Sequence, residues 1–364
     1  MDGAGHIEAL SLSFTVGTGA GILLCSLFSG PPPAALPTAL MLLIGGALLS
    51  RDRLRLLPEN RLAILLPLLF LAAGLFSGLT ASYEGISLPS RLGALAEAAG
   101  EGLKRHIDRT GFASGETAAL LKALLTGDRS FLSRETVAAF RGSGASHILA
   151  LSGLHIGIIY LLLDAMTRVL GRFPLSRLLR WALVVVSAAF FTLMTGASPS
   201  IVRAFLFILI RESLLLSGRT VRGERVLCLA LFVQLVLSPL SIRSLGFQLS
   251  YLAVGGIFLL YPTLEKWYPE GLRHDPLRWI WKSAALSISC QVTTAPLAWY
   301  RFHAFPRHFL LTNLLALPLT SLVMGLGILT LAWGAVSPCP PLLLKATDAA
   351  ATALIQCLEI ISGM

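Results

Sequence analysis

Charge is what this chain has least of. Only 13% of its 364 residues are charged, against roughly 25% in an ordinary soluble domain. Hydrophobic residues make up 55%, and mean hydropathy is +0.76. A water-soluble domain of this length could not bury that much apolar side chain in one core, so lipid must be the solvent for much of it. Metal and redox ligands are missing as well. Cys25, Cys228, Cys290, Cys339 and Cys357 are scattered without a C-x-x-C spacing and read as small apolar packers. None of the seven histidines (His6, His106, His147, His155, His274, His303, His308) forms an H-x-H pair, so no binuclear metal site and no cofactor is expected. The phosphate-cradling pattern G-x-x-x-x-G-K-[ST] does not occur, so energy for any work must come from elsewhere. The first eight residues hold Asp2 and Glu8 but no Lys or Arg, the wrong flank for a cleaved signal, and the first apolar run is expected to persist as a helix.

What the chain does have is long apolar runs. A spanning helix needs about 20 such residues, and ten or eleven candidates follow one another. They are Ala9 to Phe28, Ala34 to Ser50, Leu62 to Thr80, Ala145 to Leu163, Trp181 to Gly196, Ser200 to Leu216, Val226 to Leu237, Leu245 to Tyr261, Ser283 to Tyr300 and Phe309 to Gly334. A further run, Leu342 to Ile361, contains Lys345, Asp348 and Glu359 and is compatible with a surface helix. Several runs are short or broken by Pro and Gly, as interrupted helices around a polar interior would be. The fold expected is therefore an all-α polytopic transmembrane bundle. Lys and Arg outnumber Asp and Glu, 29 to 19. Their clusters at Arg51 to Arg61, Arg168 to Arg180 and Arg219 to Arg225 fall in alternate connections, which puts that side and the N-terminus in the cytoplasm.

One stretch does not belong in a bilayer. Ala81 to Gly144 carries eight Lys or Arg and seven Asp or Glu and falls on the external side. Leu95, Ala98, Ala99, Gly102 and Leu103 recur at helical spacing there, as do Ala118, Leu121 and Leu125, so amphipathic helices are expected. Gly127-Asp128-Arg129-Ser130 reads as a turn, and Ser133 with Glu135 and Thr136 starts a short helix. The organisation expected is N-terminal spans over 1–80, an external helical segment over 81–144, a transmembrane core over 145–338 and a C-terminal helix over 339–364.

The run Ala123-Leu124-Leu125-Thr126-Gly127-Asp128-Arg129-Ser130, then Phe140, Gly144 and Ser146-His147-Ile148-Leu149-Ala150-Leu151-Ser152-Gly153-Leu154-His155-Ile156-Gly157, closely resembles the membrane domain of the ComEC-type competence proteins. Pro199-Ser200-Ile201-Val202-Arg203-Ala204, Ser238-Pro239-Leu240 with Gly246-Phe247-Gln248-Leu249-Ser250-Tyr251, and Asn313 before Pro318 look like its later blocks, in order over about Thr117 to Ala335. The resemblance implies a bacterial inner-membrane channel passing single-stranded DNA to the cytoplasm. Its implied partners are membrane lipid, a cytoplasmic motor protein, an external DNA receptor or nuclease on other chains, and a second copy of the chain. Relatives usually add an OB-like β domain and often a metallo-β-lactamase-like domain. The β-branched alternation of the first is absent from 81–144 and the histidine pattern of the second is absent throughout, so the chain looks like a reduced or truncated member.

The path or gate candidates are His147, Ser152, His155, Arg203, Gln248 and Asn313. On a continuous helix His147, Ser152 and His155 share one face with Gly144, where they either line a path or bond neighbouring helices. Arg203 lies one turn inside a helix that Pro199 opens and Ser198 is expected to cap; it either serves transport or snorkels to the interface. Gln248 and Asn313 either line the path or bond between helices. The turn Gly127 to Ser130 either contacts the strand or pairs internally. Arg301, Arg307, His303 and His308, with Trp279, Trp281, Trp299, Tyr300 and Phe302, add cations and rings for a polyanion with stacked bases. A different class, an intramembrane serine hydrolase using Ser152 or Ser146 with a histidine, lacks the G-x-S-x-G elbow. An inactive remnant is the third reading. The expectation is a transporter and not an enzyme.

Overall fold

Proline marks where several helices begin. A fixed φ and a missing N–H suit the first helical turn, and Pro174, Pro199, Pro276 and Pro341 each open a helix. The computed structural model describes residues 3–27, 70–71, 73–74, 90–167, 173–268, 276–303 and 307–364. Among these residues there are thirteen α-helices, one 3-10 turn and no strand, an all-α membrane bundle. In chain order they are α1 (Gly3–Leu27), α2 (Ser90–Arg109), α3 (Gly115–Thr126), α4 (Arg134–Gly142), α5 (Ser146–Leu149), α6 (Gly153–Thr167), α7 (Pro174–Met194), α8 (Pro199–Leu216), α9 (Gly223–Leu237), α10 (Leu245–Glu265), α11 (Pro276–Phe302), α12 (Phe309–Gly334) and α13 (Pro341–Ser362), with the 3-10 turn Pro239–Arg243 between α9 and α10.

Three stretches are long and apolar enough to cross a membrane: Leu175–Met194, Leu245–Glu265 and Phe309–Gly334. The expected spans Ala34 to Ser50 and Leu62 to Thr80, the latter almost entirely, lie outside the described residues, as do Arg51 to Arg61, Arg168 and Arg172. The other runs form helices that fall short of the criterion. The helices α6 and α9 have 15 residues each, and α8 carries Arg203, Arg211 and Glu212. The run Ala145 to Leu163, expected as one span, is broken into α5 and α6.

The chain divides into two compact units, 1–88 with 209–251 and 89–208 with 252–364. In the first, α1 packs on α9, and Phe14, Leu235 and Phe247 form its core. The Phe14 and Phe232 rings meet edge-on with centroids 4.9 Å apart. In the second, the main core joins α3, α4 and α5 to α12 and α13 through Leu120, Leu121, Leu124, Phe140, Ile148, Met324 and Leu354. A smaller core of Ile156, Val184, Phe191, Ile201 and Ile208 binds α6, α7 and α8.

The charged stretch expected as amphipathic helices splits in behaviour. The apolar face of α2 is Ala96, Gly100, Leu103 and Ile107, whereas Leu95 and Ala98 from the expected stripe are exposed. That places the buried stripe one residue away from the one read in sequence, because Ile107 belongs to it. α3 has no solvent face to speak of: eight of its residues from Thr117 to Leu125 are buried, between α12 and α13. The last helix, α13, buries Thr347, Ala351, Leu354 and Leu358 against α12 and α4, so it lies in the core.

α11 ends in aromatic residues on both sides. Trp279 is 57% exposed near its start, and Trp299, Tyr300 and Phe302 are exposed near its end. Between them Thr293 Oγ1 donates to the Leu252 carbonyl at 2.9 Å. Gly256 of α10 leaves no room for a Cβ against Ser289 and Thr293, which is how the two helices come so close.

Candidate functional site

The break between α5 and α6 is made by local hydrogen bonding. Ala150 is extended (φ −74°, ψ 120°), and Ser152 then caps α6. Its Oγ accepts from the Leu154 N–H at 3.3 Å, while Nδ1 of His155 accepts from the Ser152 N–H at 3.1 Å. This is a reciprocal capping box with histidine where Glu or Gln usually stands. It satisfies two donors that a helix start leaves open, and it explains why an unbroken apolar pattern does not give an unbroken helix. His147, expected on the same face, is on the other side of the break. Its exposed ring bonds through Nδ1 to the Gly144 carbonyl at 3.1 Å.

His155 is fully buried. Because Nδ1 accepts an amide proton, the neutral ring carries its own proton on Nε2, and Nε2 has no partner among the described residues. Ser152 Oγ also lies 3.1 Å from Nδ1. As a nucleophile and base this pair is poorly placed, since the Nδ1 lone pair is already engaged by the backbone and no third group orients the ring through Nε2.

Arg203 comes to this turn from α8. A Cβ built on Gly153 would lie 3.4 Å from Arg203 Nη2 and 3.4 Å from the Ala204 Cβ, so the guanidinium and the Ala204 methyl rest against the first residue of α6. The lead into α8 is unusual. Gly196 and Ala197 both have positive φ, 77° and 49°, and the second is a conformation non-glycine residues seldom adopt. The expected cap is not made: Ser198 Oγ is buried with no partner among the described residues, and Pro199 alone shapes the helix start. Thus Arg203 lies against Gly153, the residue that follows the Ser152 cap, and its guanidinium stands beside a helix N-terminus that itself carries about half a positive charge.

The remaining candidates lie elsewhere. Asn313 follows Thr312, whose Oγ1 donates to the Ser143 carbonyl at 2.7 Å, and Asn313 Oδ1 is buried without a partner among the described residues. Gln248 belongs to the other unit, where its Nε2 donates to the Ile242 carbonyl at 2.8 Å and ties α10 to the 3-10 turn. Trp281 Nε1 donates to the Leu264 carbonyl at 3.0 Å. Arg301 is exposed in the last turn of α11, and His303 and Arg307 are exposed beyond it.

The turn Gly127 to Ser130 is held from within. Gly127 adopts φ 82° and closes α3 by donating its N–H to the Ala123 carbonyl at 3.1 Å. Asp128 Oδ1 accepts from the Ser130 N–H and Oγ, and Oδ2 meets Lys104 Nζ at 2.6 Å. The Lys104 bond, then those from Ser130, pull the Asp128 carboxyl down to about 2, and the Asp128 bond raises Lys104 in turn. Glu116 is held similarly: burial pushes it up, but hydroxyl bonds from Thr136 and Ser133 and the Ser133 N–H carry it below the usual range. Lys104 and Glu116, 24 and 17 residues from their partners Asp128 and Ser133, were not singled out in sequence, and no local signal marks them. A Cβ on Gly127 would strike Leu151, so the turn and the Ser146–Gly157 block touch.

No group of three or more metal-binding side chains occurs among the described residues. No solved structure matches the chain. Curated relatives do. ComE operon protein 3 of Bacillus subtilis is 28% identical over 203 residues, covering 56% of this chain and 25% of the relative. Recombination protein 2 of Haemophilus influenzae is 26% identical over 213 residues, covering 56% and 27%. Competence protein ComA of Neisseria gonorrhoeae is 28% identical over 230 residues, covering 61% and 31%. The chain thus spans between a quarter and a third of the length of these relatives. The sequence model of the family described as "Competence protein" matches residues 124–364, from the α3 helix through the paired turns and Arg203 to the end of α13, and the chain belongs to that family.

Proposed function

We propose that the chain is a multi-pass component of the bacterial inner membrane, N-terminus in the cytoplasm, that passes single-stranded DNA inward during natural transformation. The observation that carries this reading is Arg203 set against the α6 N-terminus at a break in an apolar helical run. Half-helices whose positive ends point into a membrane interior are the way transporters receive anionic groups. A guanidinium suits such a place because a phosphodiester fits its planar fork. The family's description and the relative named a competence protein support the same direction.

On this reading the chain translocates and does not catalyse. Force comes from a cytoplasmic motor protein, and strand capture outside and strand degradation come from other polypeptides; a second copy of the chain is a candidate for completing the path. The test is DNA uptake by cells whose only source of this protein is the variant. Arg203→Ala should lower uptake roughly tenfold or more, the scale of one lost charge-assisted bond, at unchanged protein abundance. Arg203→Lys should restore part of it, because charge remains while the fork is lost. Full uptake by Arg203→Ala at wild-type abundance would refute the proposal.

A further inference from the structure

The segment Ser90 to Gly144 contains both kinds of strong cation, and the fold uses them differently. Both lysines are engaged: Lys104 by Glu101 and Asp128, Lys122 by Asp108 at 2.7 Å. Lys122 also sits 4.0 Å from the centroid of the Phe131 ring. Arg129, Arg134 and Arg141, by contrast, are exposed, and no guanidinium of the three has a hydrogen-bond or ion-pair partner among the described residues. Sequence reading treats the turn around Asp128 as one unit, yet its acid faces inward and its arginine faces out.

The three arginines border one surface. Leu132 N–H bonds the Arg129 carbonyl at 3.2 Å, closing a turn that leads into the Ser133 cap of α4, and five residues of chain keep Arg129 within about 17 Å of Arg134. Arg134 and Arg141 are two helical turns apart on the same face, about 10 Å along the axis, while Thr136, Ala139 and Phe140 hold the opposite face in the core. Phe131, 51% exposed, lies between the first two arginines in sequence. Glu135 is the one carboxylate on this stretch without a partner among the described residues, since Asp128 is taken by Lys104 and Ser130.

We propose that Arg129, Phe131, Arg134 and Arg141 form a docking surface for single-stranded DNA, with the guanidiniums on phosphates and the ring under a base. The proposal rests on the reading of the chain as a DNA-uptake protein and adds a place where the strand is held. Unpaired arginines are suited to phosphate by their fork geometry, and an aromatic face accepts any base. A lipid surface fits less well. Helices that lie in a headgroup layer present a row of large apolar side chains, whereas between Arg134 and Arg141 the outer face of α4 offers exposed Glu135 and Ala138 and a half-buried Val137.

The experiment uses the full chain in nanodiscs of zwitterionic lipid and a fluorescein-labelled oligodeoxythymidylate, read by anisotropy across a salt series. The combined variant Arg129→Gln, Arg134→Gln, Arg141→Gln should bind at least tenfold more weakly. Its plot of log affinity against log salt should be shallower by about two, since each phosphate contact on a single strand contributes about 0.7 to the slope. Phe131→Leu should weaken binding several-fold and leave the slope unchanged. Arg219→Gln, an exposed arginine outside this surface, should bind as the wild type does. Introducing the three glutamines into Arg203→Ala should weaken binding and flatten the slope as much as they do in the wild type, so the docking surface and the Arg203 reading succeed or fail separately. Unchanged affinity and slope in the combined variant, at an unchanged unfolding midpoint, would overturn the proposal. So would a wild-type chain that binds no oligonucleotide, or a combined variant that binds DNA normally but no longer binds vesicles containing phosphatidylglycerol.

Discussion

Removing the charge of Asp128 measures how firmly the turn Gly127 to Ser130 is tied to α2. The perturbation is Asp128→Asn, which keeps an oxygen for Ser130 but ends the 2.6 Å ion pair with Lys104. The depression of the Asp128 carboxyl from 3.8 to about 2 corresponds to a ceiling of about 2.4 kcal/mol at about 1.36 kcal/mol per decade. Its side chain is 27% exposed, and solvent screening brings the expectation to about 1–1.5 kcal/mol. The carboxylate's contribution is complete above its ordinary value of 3.8 and is lost as pH falls through about 2. Lys104 mirrors this at the alkaline end: its contribution is complete below 10.5 and is lost as pH rises through its raised folded value. The assay is chemical unfolding in mild detergent followed by circular dichroism, on Asp128→Asn, Lys104→Gln and the pair together. Because Lys104 also meets Glu101, only the double-mutant cycle isolates the Asp128 term. A coupling within about 0.3 kcal/mol of zero, or a destabilisation by Asp128→Asn as large at pH 2 as at pH 7, would refute the reasoning.

Gly127→Ala should cost about 1–2 kcal/mol, because the new Cβ meets both a left-handed backbone and Leu151; adding Leu151→Ala should return only the steric part, and equal stabilities for the single and double variants would show that the two motifs do not touch. A fluorophosphonate probe should leave Ser152 unlabelled, and Ser152→Ala should instead cost about 1 kcal/mol of helix capping in the same unfolding assay. Labelling at Ser152 would replace the capping role with a catalytic one.

Sequence periodicity located helices well where packing and pattern agree. Phe309–Gly334 is apolar throughout and its ends coincide with the expected ones. It failed at Ala145 to Leu163 because apolar periodicity is blind to a cap placed inside an apolar run. The signal was present as Ser152-x-x-His155, a capping box with an uncommon third-position acceptor. In α2 the expected stripe missed by one residue because alanine and glycine fit either side of a helix, and the choice was made by Ile107 and by Met194 packing near Gly100. Arg203 was legible as a costly charge in an apolar run. Its position over Gly153 was not, since it depends on how α8 crosses α6. The internal pairing of Asp128 depends likewise on Lys104, a contact no local pattern encodes.

The two aromatic ends of α11 constrain how that helix can move. Trp279 and Trp299 are twenty residues apart, about 30 Å along a helix, which matches the hydrocarbon thickness of a bilayer. α11 is not among the three stretches long and apolar enough by themselves to cross a membrane; where it does span one, each indole would rest at its own water boundary. Sliding the helix along the membrane normal would drag one ring into the acyl region and push the other into water, so a piston stroke is resisted at both ends. Turning about its own axis leaves both rings at their depth and carries Ser289 and Thr293 past the notch at Gly256. If a conduit beside α11 widens and narrows, the motion this helix permits is a twist.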